Sequence, residues 1–165
     1  MTGNARQPPP RDRGACCKRP GTEYFLAFPA GGMVVMPDFE HSQEIGAAPD
    51  AVWRLVSDPS RLADWVPTAT ASGPAGAGAV HLQGESHGHD YDARGGFVAD
   101  DADRRLSWDS PRYPGYRGTL LVTEEAGGSR VTVQVTIPDA PVRADEEITR
   151  GLRETLDRIA RLAQA

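Results

Sequence analysis

The sequence predicts an α+β domain in which helices cover one face of an antiparallel sheet. Two observations carry this prediction. The last stretch, residues 143–165, repeats apolar side chains at spacings of three and four, the period of one helix face. Residues 68–139 instead contain short segments in which apolar and polar side chains alternate, the period of a half-buried strand. Strands and helices separated along the chain in this way are typical of α+β architecture.

Composition narrows the class of protein. A chain of 165 residues with 39% hydrophobic residues is the size of one domain and can bury a core. Its net charge of -5 argues against a nucleic-acid partner. No apolar run approaches the ~20 residues that a membrane-spanning helix needs. The two cysteines, Cys16 and Cys17, are adjacent, so no disulfide framework is expected, and a cytoplasmic location is predicted.

Residues 1–36 differ from the rest of the chain in composition. They are rich in proline, glycine and arginine, lack hydrophobic periodicity and carry more basic than acidic residues. We expect a disordered basic tail here and a single domain at residues 37–165. A second explanation stays open, in which Met33 or Met36 is the natural first residue and the upstream part is an extension.

The elements after the tail begin with a strand and two short helices. The strand is expected at Asp38–Ile45, where apolar and polar residues alternate. Pro49 opens the first helix, because proline suits the first helical turn. Asp58 ends that segment and can cap a second short helix at Pro59–Trp65.

Five or six antiparallel strands then precede the last helix. Alternation locates five of them, at Ala79–Gly84, Asp90–Val98, Arg105–Ser110, Tyr116–Glu125 and Ser129–Pro138. The last two form the clearest hairpin, with the turn at residues 126–128. The sheet produced by these strands is the surface on which the amphipathic last helix can bury its apolar side.

Three stretches carry a resemblance to a known family. Ile45–Trp53 looks like the end of that family's first strand and the start of its first helix. Asp58–Pro67 is similar to the second-helix segment of its bacterial members and is the most specific of the three. Arg105–Asp109, followed by the hairpin and the last helix, completes the order. The chain thereby resembles the START-like helix-grip superfamily (SRPBCC), which includes polyketide cyclase/dehydrase-like proteins.

The resemblance implies a curved antiparallel sheet that grips the long C-terminal helix, with an apolar cavity between them. It also implies a hydrophobic or amphipathic small-molecule partner, of lipid, polyketide or isoprenoid type. We expect no cofactor and no metal ion. Some members of the superfamily are cyclases, aromatases or dehydratases, but they share no universal catalytic motif, so no catalytic residue is carried over.

The candidate ligand-binding residues are five aromatic side chains expected to face the cavity and one glycine in the last helix. They are Trp65, Tyr91, Phe97, Trp108, Tyr116 and Gly151. Apolar cavities with aromatic walls are the usual small-molecule sites. The alternative is that the aromatic residues are ordinary core residues. For Gly151, either the missing side chain leaves room for a ligand or it allows close packing against the sheet.

Polar candidates fall into two groups. The first group is His81, His87 and His89, which lie close in sequence. These histidines have three interpretations: a metal site, a general acid or base, or solvent-exposed imidazoles. Arg112 and Arg117 flank a loop, where they either bind an anionic group of a ligand or are solvated.

Three hypotheses about function follow. The first is binding of a hydrophobic small molecule in the cavity. The second is a polyketide cyclase/aromatase or dehydratase, which needs a polar group such as His89, Tyr116 or Arg117 directed into that cavity. The third is a protein-interaction module, which predicts a filled cavity and an exposed apolar patch.

Overall fold

The computed structural model describes residues 39–138, 140 and 144–165. The tail predicted at residues 1–36, with the two explanations for it, lies outside the described residues. Residues 37, 38 and 143, which begin the predicted domain, first strand and last helix, also lie outside them.

Within the described residues, seven strands form one antiparallel sheet. They are β1 (Phe39–Ile45), β2 (Ala69–Pro74), β3 (Ala79–Ser86), β4 (His89–Asp100), β5 (Arg105–Asp109), β6 (Arg117–Glu125) and β7 (Gly128–Thr136). Their order across the sheet is β1-β7-β6-β5-β4-β3-β2, so consecutive strands pair and β1 returns to lie beside β7. The predicted α+β class, with an open, curved antiparallel sheet, is confirmed.

The helices lie where the sequence predicts them. Helix α1 spans Pro49–Val56, and the long C-terminal helix α3 spans Asp145–Gln164. The second short helix is less regular than predicted, since a 3₁₀ turn at Pro59–Arg61 leads into a single α-helical turn, α2 (Leu62–Trp65). Tight 3₁₀ turns are common at helix N-termini. The predicted cap is present, because Asp58 Oδ1 accepts a hydrogen bond from the Ser60 backbone N–H at 2.9 Å.

Strand β2 is the element that alternation did not locate. Its sequence, Ala-Thr-Ala-Ser-Gly-Pro, offers no large apolar side chain. Among the described strands it lies at the edge of the sheet, with β3 as its one partner, and its register shifts between Ala69 and Ala71. An edge strand needs fewer apolar contacts than a central one and tolerates proline, here Pro74.

The closely packed part of the core lies between strands β1, β7 and β6 on one side and the helices on the other. Helix α1 packs against β6, β7 and α3, and α3 packs against β1. The apolar stripe predicted for the last helix is confirmed by the burial of Leu152, Leu156 and Ile159. The fully buried partners on the strands and α1 are Val52, Val56, Leu120 and Val131.

Two glycines of β4 lie close to Asp109, the last residue of β5. A Cβ atom on Gly95 would lie 2.4 Å from the carbonyl oxygen of Asp109. A Cβ on Gly96 would lie 2.7 Å from the Oδ1 of the same residue. A side chain at Gly95 would meet the backbone of Asp109 and push β4 and β5 apart, so this glycine permits the close approach. At Gly96 the contact is with the end of the Asp109 side chain.

Candidate functional site

A cavity of about 940 Å³ lies between the inner face of the sheet and the helices. Strands β3, β4 and β5, together with Val133 and Val135 of β7, contribute one wall, and α2 contributes another. Leu152 and Thr155 of α3, together with the loop at residues 110–116, border it on the remaining sides. Most of the lining is apolar or aromatic. The geometry is that of a small-molecule site.

Five of the six candidate ligand-binding residues line this cavity. Trp65 comes from α2, Tyr91 and Phe97 from β4, Trp108 from β5, and Tyr116 from the residue before β6. Phe97 and Trp108 are direct cross-strand neighbours. The fold therefore brings together aromatic side chains from four segments of the chain. Their role in binding a ligand stays a prediction.

Gly151, the sixth candidate, is placed differently. It is half-buried on α3 but is not part of the cavity wall, although Leu152 and Thr155 are. A Cβ atom at Gly151 would meet no atom within 4 Å outside the backbone of its own helix. Close packing against the sheet is therefore not the reason for the glycine. Room for a ligand stays a prediction.

The most specific polar feature of the cavity joins Trp108 and Tyr116. The indole Nε1–H of Trp108 donates a hydrogen bond to the Tyr116 hydroxyl oxygen at 3.2 Å. The indole can reach this position because its cross-strand neighbour is Gly118. A Cβ atom on Gly118 would lie only 2.1 Å from the Trp108 ring. Gly118 thus positions Trp108.

Sequence reasoning missed Gly118, and a signal for it existed. Glycine inside a strand often marks a place where another group approaches the backbone closely. Gly118 stands two residues after Tyr116 at the start of a strongly alternating strand. Its partner, however, depends on the register between β5 and β6, which the pattern of one strand does not give.

Tyr91 lies over a glycine in the same way. A Cβ atom on Gly84, its cross-strand neighbour, would lie 2.7 Å from the Tyr91 hydroxyl oxygen. That hydroxyl is within hydrogen-bond distance of Thr68 Oγ1, at 3.1 Å. The two tyrosines therefore present hydroxyl groups at defined places in a mainly apolar wall.

The protonation state of Tyr116 follows from its surroundings. Burial raises the pKa of its phenol above the ordinary value, and the nearby Tyr91 phenol adds to this, while the hydrogen bond from Trp108 partly opposes it. Tyr116 therefore stays protonated at neutral pH. Because the Trp108 N–H uses a lone pair of the hydroxyl oxygen, the hydroxyl hydrogen remains available for donation to a ligand.

Trp65 is held in the wall by contacts between its segment and β2. The backbone N–H of Ala63 donates to Ser72 Oγ at 3.0 Å, and Ser72 Oγ donates to the carbonyl of Ser60 at 3.1 Å. The Trp65 side chain is buried, and among the described residues its Nε1–H has no acceptor. An unpaired buried donor costs roughly 1–3 kcal/mol.

The cavity lining includes two of the three candidate histidines, His87 and His89, both of which are exposed. His87 and Gly88 form the two-residue turn between β3 and β4, and His87 has a left-handed φ of 54°. His87 and His89 therefore do not stand at simple strand spacing. His87 Nε2 lies 3.3 Å from Glu147 Oε1, which links this turn to the first turn of α3.

His81 is separated from the other two histidines. It faces the outer side of the sheet, where its Nε2 is 2.5 Å from Asp92 Oδ1. Hydrogen bonds from Gln83 and His81 lower the pKa of the Asp92 carboxyl. Across the part of the chain that the structure describes, no group of three or more histidine, cysteine, aspartate or glutamate residues is placed to hold a metal ion.

The two candidate arginines lie in different positions relative to the cavity. Arg112 lies at the mouth, with its guanidinium carbon 5.8 Å from the centre of the Tyr113 ring. Arg117 is exposed and is not part of the cavity wall. Of the two interpretations left open for Arg117, its position agrees with the solvated one, because residues alternate along β6 and the buried Gly118 takes the inner side.

The geometry agrees with the comparison with known families. Residues 36–164 match the family described as polyketide cyclase / dehydrase and lipid transport. The chain belongs to this family. Its helix-grip fold is a ligand-binding fold, and the resemblance found in the sequence is confirmed. No curated protein matches the chain by sequence.

Solved structures confirm the fold. The protein TTHA0849 from Thermus thermophilus is similar, with a TM-score of 0.64 and 17% identity over 76% of this chain and 95% of that one. A protein from Bacillus thuringiensis has a TM-score of 0.64 and 21% identity over 77% and 98%.

A third similar structure is the di-domain ARO/CYC BexL from the BE-7585A biosynthetic pathway. Its TM-score is 0.64 and its identity 19%, over 76% of this chain and 46% of that one. At such identities the likeness shows the fold alone. As for membranes, none of the helices in the described residues is long and apolar enough to cross one.

Proposed function

We propose that this protein binds a hydrophobic or amphipathic small molecule, of lipid, polyketide or isoprenoid type, in the cavity. The observation that carries the proposal is the cavity of about 940 Å³ with its aromatic wall. This volume lies at the upper end of the ~300–1,000 Å³ common for small-molecule pockets. The family description, which names polyketide cyclases, dehydrases and lipid transport, supports the same proposal.

The experiment introduces a phenylalanine on the inner face of β4, where it fills part of the cavity. The same residue introduced on the outer face of β4 is the control. Ala93 is half-buried on the inner side of β4 and lines the cavity. Val98, on the outer side of the same strand, is 59% exposed. The probe is N-phenylnaphthylamine, an uncharged dye whose fluorescence rises in apolar surroundings. Binding is measured for the native chain, Ala93→Phe and Val98→Phe, with circular dichroism to check folding.

We expect the native chain and Val98→Phe to bind the dye alike, and Ala93→Phe to bind it at least about tenfold more weakly, a difference of ~1.4 kcal/mol. No binding by the native chain, or equal binding by all three proteins, contradicts the proposal. Native mass spectrometry of the purified protein then identifies the class of any small molecule that it carries.

A second candidate function, an enzyme of the cyclase/aromatase or dehydratase type, is favoured by the Tyr116 hydroxyl. A protonated phenol that donates to a ligand carbonyl oxygen stabilises the enolate formed when the neighbouring carbon loses a proton. His89, at the cavity mouth, is the candidate base. The similarity to an ARO/CYC structure supports this candidate at the level of fold.

Exchange of the α-protons of tetralone in D₂O, followed by NMR, tests the enzyme candidate. We expect the native chain to accelerate the exchange, and both Tyr116→Phe and His89→Gln to slow it by about 10²-fold or more, the usual size of a general acid–base contribution. If tetralone binds but its protons exchange no faster than in buffer alone, the enzyme hypothesis is rejected and the binding function remains.

The third hypothesis, an interaction module, has the least support. It requires a filled cavity, and the cavity is open. Among the described residues, the exposed large apolar side chains are Val98, Tyr113 and Leu121, which come from two strands and a loop. Scattered single residues of this kind are normal on protein surfaces.

We also propose that residues 1–36 are a tail dispensable for binding and that the protein acts in the cytoplasm. The support for the first point is that, among the described residues, those lining the cavity fall between Leu62 and Thr155. A chain beginning at Met36 is expected to bind the dye with the same affinity as the full chain. A weaker affinity assigns the tail a part in binding. Cell fractionation tests the location.

A further inference from the structure

We propose that the cavity selects uncharged, flat ligands that carry a carbonyl oxygen, and that Tyr116, held by Trp108, is the residue that determines this preference. The inference rests on the proposed function, because it specifies the chemistry of the ligand in the same cavity. A cavity with only apolar walls would not distinguish carbonyl-bearing lipids, polyketides or isoprenoids from hydrocarbons of the same shape.

The first step of the argument is the direction of hydrogen bonding at Tyr116. Trp108 Nε1–H can only donate, and it donates to the Tyr116 hydroxyl oxygen at 3.2 Å. The Tyr116 hydroxyl is thereby biased to act as a donor in turn. A ligand oxygen that accepts this hydrogen extends the chain from indole to phenol to ligand, and hydrogen bonds in such chains strengthen one another. A hydrocarbon ligand leaves the donor unpaired.

The second step is the distribution of charge around the cavity. The lining includes four aspartate and arginine side chains, all exposed: Asp90, Arg94, Asp109 and Arg112. Arg94 donates to the carbonyl oxygen of Ala75, and Asp109 accepts from the Gly96 N–H. The buried part of the wall, including Phe97 and Leu106, carries no cation among the described residues. A carboxylate inside the cavity would lose its hydration without gaining a partner charge.

The third step concerns shape. Aromatic side chains from α2, β4 and β5 line the same space, and two of them lie close to glycines, the Trp108 ring to Gly118 and the hydroxyl end of Tyr91 to Gly84. Flat rings stack on such surfaces in offset or edge-to-face arrangements. The site thus offers aromatic surfaces and, at Tyr116, a neutral hydroxyl donor, which together suit a carbonyl-bearing ring system.

The experiment uses three probes with one ring skeleton: fluorene, fluorenone, which adds only a carbonyl, and fluorene carboxylate, which adds only an anionic group. Isothermal titration calorimetry measures each probe on the full chain, on Tyr116→Phe and on Thr119→Val. Thr119 is the matched control. Its hydroxyl donates to Gln134 Oε1 at 3.2 Å, on the opposite face from the buried, inward-facing Leu120, and it is not part of the cavity wall.

We expect the native chain to bind fluorenone about tenfold more tightly than fluorene, the size of one net hydrogen bond, and to bind the carboxylate more weakly than fluorene. Tyr116→Phe should reduce the fluorenone preference to about twofold or less while leaving fluorene binding nearly unchanged, and Thr119→Val should keep the preference. A merely structural role of Tyr116 would instead weaken both probes equally.

Three results overturn the inference and leave the proposed function standing. The first is equal binding of fluorene and fluorenone by the native chain. The second is a preference for the carboxylate, which points to anion recognition by Arg112 at the mouth. The third is a fluorenone preference that Tyr116→Phe leaves unchanged, including an equal weakening of both probes. If none of the three probes binds and N-phenylnaphthylamine also fails, the proposed function falls together with the inference.

Discussion

The two halves of the sheet have the same antiparallel architecture but use their inner faces differently. Beneath α1 and the C-terminal half of α3, strands β1, β7 and β6 present side chains that are almost completely buried, such as Leu120, Val122 and Val131. On the other side of the sheet, β3, β4 and β5 combine the buried Val80, Phe97 and Leu106 with half-buried residues, such as Leu82 and Ala93, around a cavity.

The difference comes from side-chain size and from helix coverage. The packed half alternates valine and leucine, whose branched side chains fill the space up to α1 and α3. The open half combines glycine and alanine on β3 and β4 with large aromatic residues that lie along the wall. One continuous sheet therefore provides both a stabilising core and a ligand-sized cavity.

The largest expected effect compares a matched substitution in the two halves. Leu156→Ala removes a fully buried side chain of α3 and should lower the free energy of unfolding by about 2–5 kcal/mol. Leu82→Ala removes a half-buried side chain that already borders the cavity, so it should cost about 1 kcal/mol. Urea denaturation measures both. Equal losses would show that the two halves are packed alike and would break the comparison.

A smaller effect is expected at the boundary between the halves. Gly118→Ala places a Cβ atom against the Trp108 ring and should destabilise the protein by about 1–3 kcal/mol, because the ring or the strand must move. Gly73→Ala is the control, since a Cβ there would meet no atom within 4 Å. Denaturation, together with near-ultraviolet circular dichroism, reports stability and the environment of the indole. An unaffected indole signal in Gly118→Ala would contradict the positioning role of Gly118.

The smallest effect is expected at Gly151, and its sign is opposite. Gly151→Ala should stabilise the protein by about 0.5–1 kcal/mol, since alanine favours the helix and the new methyl group meets no atom outside the helix backbone. Thermal unfolding measures the gain. Dye titration of the same variant sharpens the comparison, because a weaker affinity would place a ligand beside α3. A loss of stability would restore the packing explanation.

Much of the fold could be predicted because its elements have strong local signals. The alternation in β1, β6 and β7 and the helical period of α3 each reflect a face that must be buried. Strand β2 carries no such signal, because an edge strand of small residues buries little. The division of the second short helix into a 3₁₀ turn and one α-turn follows from a segment too short to propagate a helix.

The candidate site was predictable in part for the same reason. Aromatic residues on the inner faces of β4 and β5 reach the cavity because alternation fixes the face on which each lies. The closeness of the histidines in sequence did not predict their arrangement in space, because a two-residue turn at His87 lies between the strands that carry His81 and His89. The contact between Trp108 and Gly118 depended on register between strands, which a single strand does not encode.

The class of fold, the family and the amphipathic last helix could be predicted from the amino-acid sequence, because they depend on periodicity and on short motifs along one segment. Three features became visible only in the folded chain. They are the cavity beside the open half of the sheet, the hydrogen bond from Trp108 to Tyr116, and the position of Arg117 away from the cavity. The physical reason is that cavities and hydrogen-bond directions arise where separate segments meet, and their geometry depends on strand register and curvature.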